Sequence, residues 1–136
     1  MRNLILGLMV FVAVAAFGLP ARGQAPQTLK QRQEERLAAA KEALATSTEL
    51  YSDGKVATEA LLAAARRVYE SQLDLAQTDA QKLTAAQEYL KSCEELADTV
   101  RQRNQGGLAT EADMAAAKYA VAEAQVLLAK AAPAKP

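Results

Sequence analysis

Between Pro26 and Pro133 the chain contains no proline, and its glycines in that span are Gly54, Gly106 and Gly107 alone. Glycine and proline are the strongest local punctuation in a polypeptide, so this long span carries just two marked breaks. The remainder is rich in Ala, Leu, Glu, Gln, Lys and Arg, which give up little side-chain freedom on entering a helix. No stretch alternates apolar and polar residues as a strand would. The expectation is an all-α chain whose bends lie at the glycines.

Both breaks fall inside one repeated stretch. GKVATEALLAAA runs from Gly54 to Ala65, and GGLATEADMAAA runs from Gly106 to Ala117, 52 positions later. Eight of the twelve positions match, but five of the matches are alanine, so Gly, Thr and Glu carry the weight. Each copy reads as a turn followed by a helix start. Gly54 and Gly106–Gly107 can take the left-handed conformation that closes the preceding helix. Thr58 and Thr110 are the expected N-caps, each hydroxyl accepting from a free amide of the new first turn. Glu59 and Glu111 follow where the helix dipole favours negative charge, and Arg101 and Arg103 precede the second turn where it favours positive charge.

Apolar periodicity supports helices on either side of each turn. Leu37, Ala40, Leu44, Ser47 and Tyr51 recur at intervals of three and four, as do Leu62, Ala65, Tyr69, Leu73 and Ala76. The same rhythm runs through Leu83, Ala86, Leu90, Cys93, Ala97 and Val100, and through Met114, Ala117, Val121, Ala124, Leu128 and Ala131. Such spacing is the seam of a coiled coil. Alanine at so many seam positions allows close approach but buries little area. Thr78-Asp79-Ala80-Gln81 has the form of a capping box, which favours a break near residues 77–79 over one continuous helix. The expected layout is helices at 27–53, 58–76, 79–104 and 110–131. These form two tandem antiparallel hairpins, repeat units 27–78 and 79–131, within an elongated domain of residues 24–132.

The N-terminal segment MRNLILGLMVFVAVAAFGLPARGQA has Arg2, an apolar run from Leu4 to Leu19, Pro20, and small residues at Ala21 and Gly23. That is the pattern of a secretory signal, with cleavage expected after Gly23. The rival reading is an uncleaved anchor, although sixteen apolar residues fall short of the roughly 20 needed to span a bilayer. Residues 1–23 are therefore expected to be a signal peptide. The chain is expected in the periplasm or cell envelope, or secreted, and the tail 133–136 is expected to be disordered. Without Arg2 and Arg22 the remainder holds 14 basic and 16 acidic residues, a net charge of −2. So even a balance leaves no electrostatic footprint for nucleic acid or anionic lipid.

Residues that carry chemistry are sparse. The chain has no histidine and one cysteine, Cys93. This excludes Cys–His and Ser–His nucleophile pairs, a Cys/His zinc site and an internal disulfide framework. Cys93 lies on an apolar seam and reads as a small buried hydrophobe. No glycine-rich phosphate loop or dinucleotide fingerprint is present. The carboxylate pairs Glu34–Glu35 and Glu94–Glu95 read as solvated helix faces. Arg66 and Arg67 stand at helical spacings from Glu59, Glu70 and Asp74, which predicts ion pairs within one helix. The four tyrosines beyond the signal segment are expected to plug gaps between helices with their hydroxyls toward solvent. No catalytic, cofactor or metal residue is expected.

The second turn, with Arg103, Gly107, Thr110 and Asp113, resembles the Arg-Tyr-x-x-Gly-x-x-Thr/Ser-x-x-Asp repeat of the periplasmic helical hairpins of TolC-like outer-membrane efflux proteins. Asn104 stands in place of the motif tyrosine. The first turn keeps Tyr51 and Gly54 in the same relation, puts Thr58 one residue late and has no matching Asp. The motif thus pairs Gly54 with Gly107, a spacing of 53. The likeness spans roughly residues 36–131, nearly everything after the signal segment. It implies an elongated hairpin fold in the cell envelope that makes contact through helix faces. A TolC-like channel subunit also carries amphipathic strands for a barrel, and the sequence shows none. The leading expectation is an exported, non-enzymatic coiled-coil interaction protein that self-associates or binds protein partners. Two alternatives are an accessory or fragment of an efflux system and an amphipathic bundle on a lipid surface.

Overall fold

A computed structural model describes residues 27–133; residues 1–23, expected to be a signal peptide, and the end of the tail expected to be disordered, 134–136, lie outside the described residues. Four helices follow in order: α1 (Leu29–Ser52), α2 (Thr58–Leu75), α3 (Asp79–Gln105) and α4 (Glu111–Ala131). No strand occurs among the described residues. Consecutive helices pack on one another, so α1–α2, α2–α3 and α3–α4 are each antiparallel hairpins.

Local sequence accounts for every boundary. Thr28 and Thr78 cap α1 and α3 through reciprocal capping boxes with Gln31 and Gln81. Each hydroxyl accepts from the glutamine amide three residues on, and the glutamine side chain accepts from the threonine N–H in return. The second of these boxes separates α2 from α3, with Ala76 leaving helical geometry at ψ 118°.

The hairpins are not equivalent in their packing. α2, α3 and α4 contact one another, whereas the backbone of α1 approaches α2 alone. Consequently α1 has one buried residue, Tyr51, at its C-terminal end. Side chains tie its other end down, with Gln33 donating to the Asp74 carbonyl at 3.0 Å and Arg36 paired to the Asp74 carboxylate. This differs from the expected pairing of Asp74 within α2, because Asp74 faces the neighbouring helix rather than Arg66 and Arg67.

The core is narrow and rich in alanine: Ala64, Ala65, Ala85, Ala86, Ala117, Ala120 and Ala124 are buried. Leu61 and Val100, both at 0% exposure, are its largest fully buried side chains. Each such apolar side chain contributes about 1.5–3 kcal/mol. Tyr69 and Tyr89 stack at 4.8 Å between ring centres. Tyr51, Tyr69 and Tyr89 fill gaps as expected, although the Tyr51 hydroxyl meets the buried Thr58 hydroxyl instead of solvent; Tyr119 does not, being 70% exposed on the outside of α4. Cys93 is 1% exposed beside Tyr89, and burial pushes its thiol up from its ordinary value. Among the described residues no helix is long and apolar enough to cross a membrane.

Candidate functional site

The two glycine turns lie at the same end of the molecule, and their motif residues meet there. Each turn closes its helix in the same way. Lys55 N–H donates to the Leu50 carbonyl at 2.8 Å and Gly54 N–H to the Tyr51 carbonyl at 2.9 Å. Leu108 N–H donates to the Arg103 carbonyl at 2.8 Å and Gly107 N–H to the Asn104 carbonyl at 2.9 Å. This double bond pattern is the Schellman closure, which needs one left-handed residue. Gly54 and Gly107 supply it, each at φ +72°. Gly106 does not: it is the C-cap of α3 at φ −83°, so of the glycine pair Gly107 alone takes the left-handed position.

The equivalence of Gly54 and Gly107 sets the structural register of the repeat at 53. In that register Ala57 corresponds to Thr110, and both are N-caps. Thr110 caps α4 through a full box: its hydroxyl accepts from Asp113 N–H at 3.2 Å, and Asp113 accepts from Thr110 N–H at 2.7 Å. Thr58 is not the cap of α2. It is the first helical residue, 1% exposed, and its hydroxyl lies 3.1 Å from Tyr51 Oη. Ala57 caps α2 with no side-chain bond. The 52-residue match of Ala-Thr-Glu is therefore slipped by one against the backbone, which turns a capping threonine into a core one.

Arg103 joins the two turns. Its Nη1 donates to the carbonyls of Tyr51 at 2.7 Å and Ser52 at 2.9 Å, and its guanidinium lies 4.7 Å from the centre of the Tyr51 ring. Those carbonyls lie in the last turn of α1, where acceptors lack helical partners. Arg103 thus closes the end of a helix in the other hairpin instead of merely answering the dipole of its own. Asn104, which replaces the motif tyrosine, ties its own turn by donating to the Ala109 carbonyl at 2.9 Å. Asp113 completes the cluster. The hydroxyls of Thr58 and Thr110, the Thr110 amide and the Arg103 charge hold its carboxyl down to about 2. The Thr58 and Tyr51 hydroxyl protons can rotate, so the pair serves both each other and that carboxylate.

A second polar cluster sits halfway along the α2–α4 face. Arg66 bonds Glu70 within α2 at 3.1 Å, as its spacing implies, and reaches across to Glu123 on α4 at 2.6 Å. The Tyr89 hydroxyl donates to the same Glu123 oxygen at 3.4 Å. Burial raises the Tyr89 phenol above its ordinary range. Arg101 pairs with Asp98 at 2.9 Å on the surface of α3.

Chemically, the turn cluster offers a hydrogen-bonded network of hydroxyls, one carboxylate and backbone carbonyls turned toward one another. Among the described residues no group of three or more Cys, Asp or Glu side chains is placed to hold a metal ion. The arrangement positions backbone and fixes one hairpin against the other. Comparison with protein-family models, curated proteins and solved structures finds no match.

Proposed function

We propose that the protein is a non-enzymatic coiled-coil interaction protein of the cell envelope, exported by its N-terminal segment and working through its helix faces. The observation that carries this reading is the meeting of the motif residues at one end. Tyr51 and Gly54 of the first turn and Arg103, Gly107, Thr110 and Asp113 of the second are used together to join two hairpins. A body joined in this way presents its sides and its tip. Leu108 on the second turn is 68% exposed, as are Tyr119 at 70% and Val126 at 51% on α4. Large apolar side chains left in water mark contact surfaces when they share a face. The same motif residues favour one second reading, an accessory of an efflux assembly.

The test is fractionation of cells expressing the tagged full-length chain, followed by cross-linking and affinity capture. The reading expects the chain in the envelope fraction, shortened at its N-terminus, with envelope proteins or further copies of itself captured. Recovery of the uncut chain from the cytosol with nothing cross-linked to it would contradict the reading.

A further inference from the structure

We propose that α1 is a hinged strap: the part from Leu29 to Leu44 lifts off α2 while α2, α3 and α4 stay folded, and the pivot is the turn clasped by Arg103. The inference goes beyond the helix-face reading above and stands or falls without it. Gln33, Leu37, Ala40, Leu44 and Ser47 of α1 face the fold at intervals of three and four, and each is only half-buried. The one buried residue of the helix is Tyr51, at its far end. Ala86, Cys93, Ala117, Ala120 and Ala124 are buried on α3 and α4, which the backbone of α1 does not approach. A core therefore remains when α1 is lifted away.

Packing beneath the strap is incomplete. Because α1 rests on α2 alone, the space between α1 and α3 is left unfilled. Two clefts open there, one of about 340 Å³ beside Leu37 and one of about 240 Å³ beside Leu44, each bounded by α1, α2 and α3. Side chains along such a gap lack partner atoms on one side and lose dispersion contacts. A segment with few buried apolar contacts opens at a lower free energy than the whole fold. On α2 the clefts are lined by Ala65, Val68, Gln72 and Leu75, again at intervals of three and four. Lifting α1 uncovers that strip, so the chain itself controls access to it.

The two ends of α1 are held unequally. At its C-terminal end Tyr51 is buried, its hydroxyl meets Thr58, and Arg103 bonds the carbonyls of Tyr51 and Ser52. Toward its N-terminal end the ties are Gln33 to the Asp74 carbonyl and Arg36 to the Asp74 carboxylate, both exposed. Exposed ion pairs contribute little and are screened by salt. Opening therefore starts at the beginning of α1 and stops at the clasp. Once lifted, a helix of this length standing alone is marginal in water, so its amides exchange with solvent.

Native-state hydrogen exchange of the full-length chain, followed amide by amide, tests the proposal. Amides of residues 33–44 are expected to be protected at least about tenfold less than those of residues 86–100 in α3. Amides of residues 48–52, next to the clasp, are expected to stay closer to the α3 level. Leu44→Ala removes a half-buried side chain from under the strap and is expected to lower protection of residues 33–44 by about tenfold, with residues 86–100 unchanged. Asp74→Asn disturbs no buried residue and is expected to act on the same amides by about two- to fivefold. Arg103→Met is expected to extend the fast exchange into residues 48–52. Equal protection of α1 and α3 in the wild type would overturn the proposal, since α1 would then leave only with the whole fold. So would a loss from Leu44→Ala shared equally by both helices, or lower protection at residues 48–52 than at 33–44.

Discussion

Replacing Arg103 by methionine tests whether the two hairpins are joined at their turns. Methionine keeps most of the aliphatic stem and removes the guanidinium. The loss comprises two charge-assisted bonds to the Tyr51 and Ser52 carbonyls and the contact with the Tyr51 ring. A hydrogen bond to a charged group contributes about 1.5–3 kcal/mol, and two bonds from one nitrogen contribute less than twice that. The cation–π contact adds about 0.5–1 kcal/mol. Against this stands Arg103 Nε, which is buried without a partner, and its removal returns about 1–3 kcal/mol. The net expectation is a destabilisation of about 2 kcal/mol, out of a total near 5–15 kcal/mol for a domain of this kind. With a urea dependence of about 1–3 kcal/mol per molar, the unfolding midpoint read by far-ultraviolet circular dichroism should fall by about 1 M. Combining Arg103→Met with Tyr51→Leu should be less destabilising than the sum of the two, because they share the ring contact. A change below about 0.5 kcal/mol, the range of ordinary surface substitutions, would refute the idea that Arg103 couples the hairpins.

Other consequences follow from the turns. Ala57 has extended geometry at φ −78° and ψ 158° but no capping side chain, so Ala57→Ser should stabilise the protein by about 1 kcal/mol in the same urea assay. Gly106→Ala and Gly107→Ala should act in opposite directions although the residues are adjacent. The first sits at φ −83° with its nearest new contact at 3.6 Å and should stabilise by about 0.4–1 kcal/mol. The second sits at φ +72° and should cost about 1–2 kcal/mol. Asp113 has a carboxyl held down to about 2 in the folded state, below its unfolded value near 3.9. Its contribution is therefore complete above about pH 4 and disappears as the pH falls toward 2. Unfolding midpoints measured across that interval should fall less steeply for Asp113→Asn than for the wild type.

Helix positions were legible because the punctuation is so sparse: two glycine breaks and one Thr-x-x-Gln box account for all three connections. The role of Thr58 was not legible, because the best sequence match and the backbone repeat differ by one residue. The match at 52 aligns Thr58 with Thr110, whereas the glycines and the caps repeat at 53. Arg103 was placed near its own turn by spacing alone, but its partners lie 51 and 52 residues away. A trace of that pairing is present in the motif. The first copy has Leu50 where the second has Arg103, and the second has Asn104 where the first has Tyr51, so each copy holds half of an Arg–Tyr pair.

The buried face of α2 is wider than the seam drawn from its periodicity. Leu61 and Ala64 are buried beside the expected Ala65 and Tyr69, because α2 touches all three other helices. In α4 the seam read from periodicity, through Met114, Ala117, Val121, Ala124, Leu128 and Ala131, is the covered one. Tyr119 lies off that seam and outside, so the expectation that every tyrosine plugs a gap fails there because it was drawn from residue type rather than from position on the helix.

The most direct test of the account is photo-cross-linking in living cells from a benzophenone side chain introduced at position 119. If the protein works in the envelope through its exposed helix faces, a cross-linked product heavier than the chain appears in the envelope fraction. A probe at position 119 that yields only uncross-linked monomer, or a chain confined to the cytosol, would contradict it.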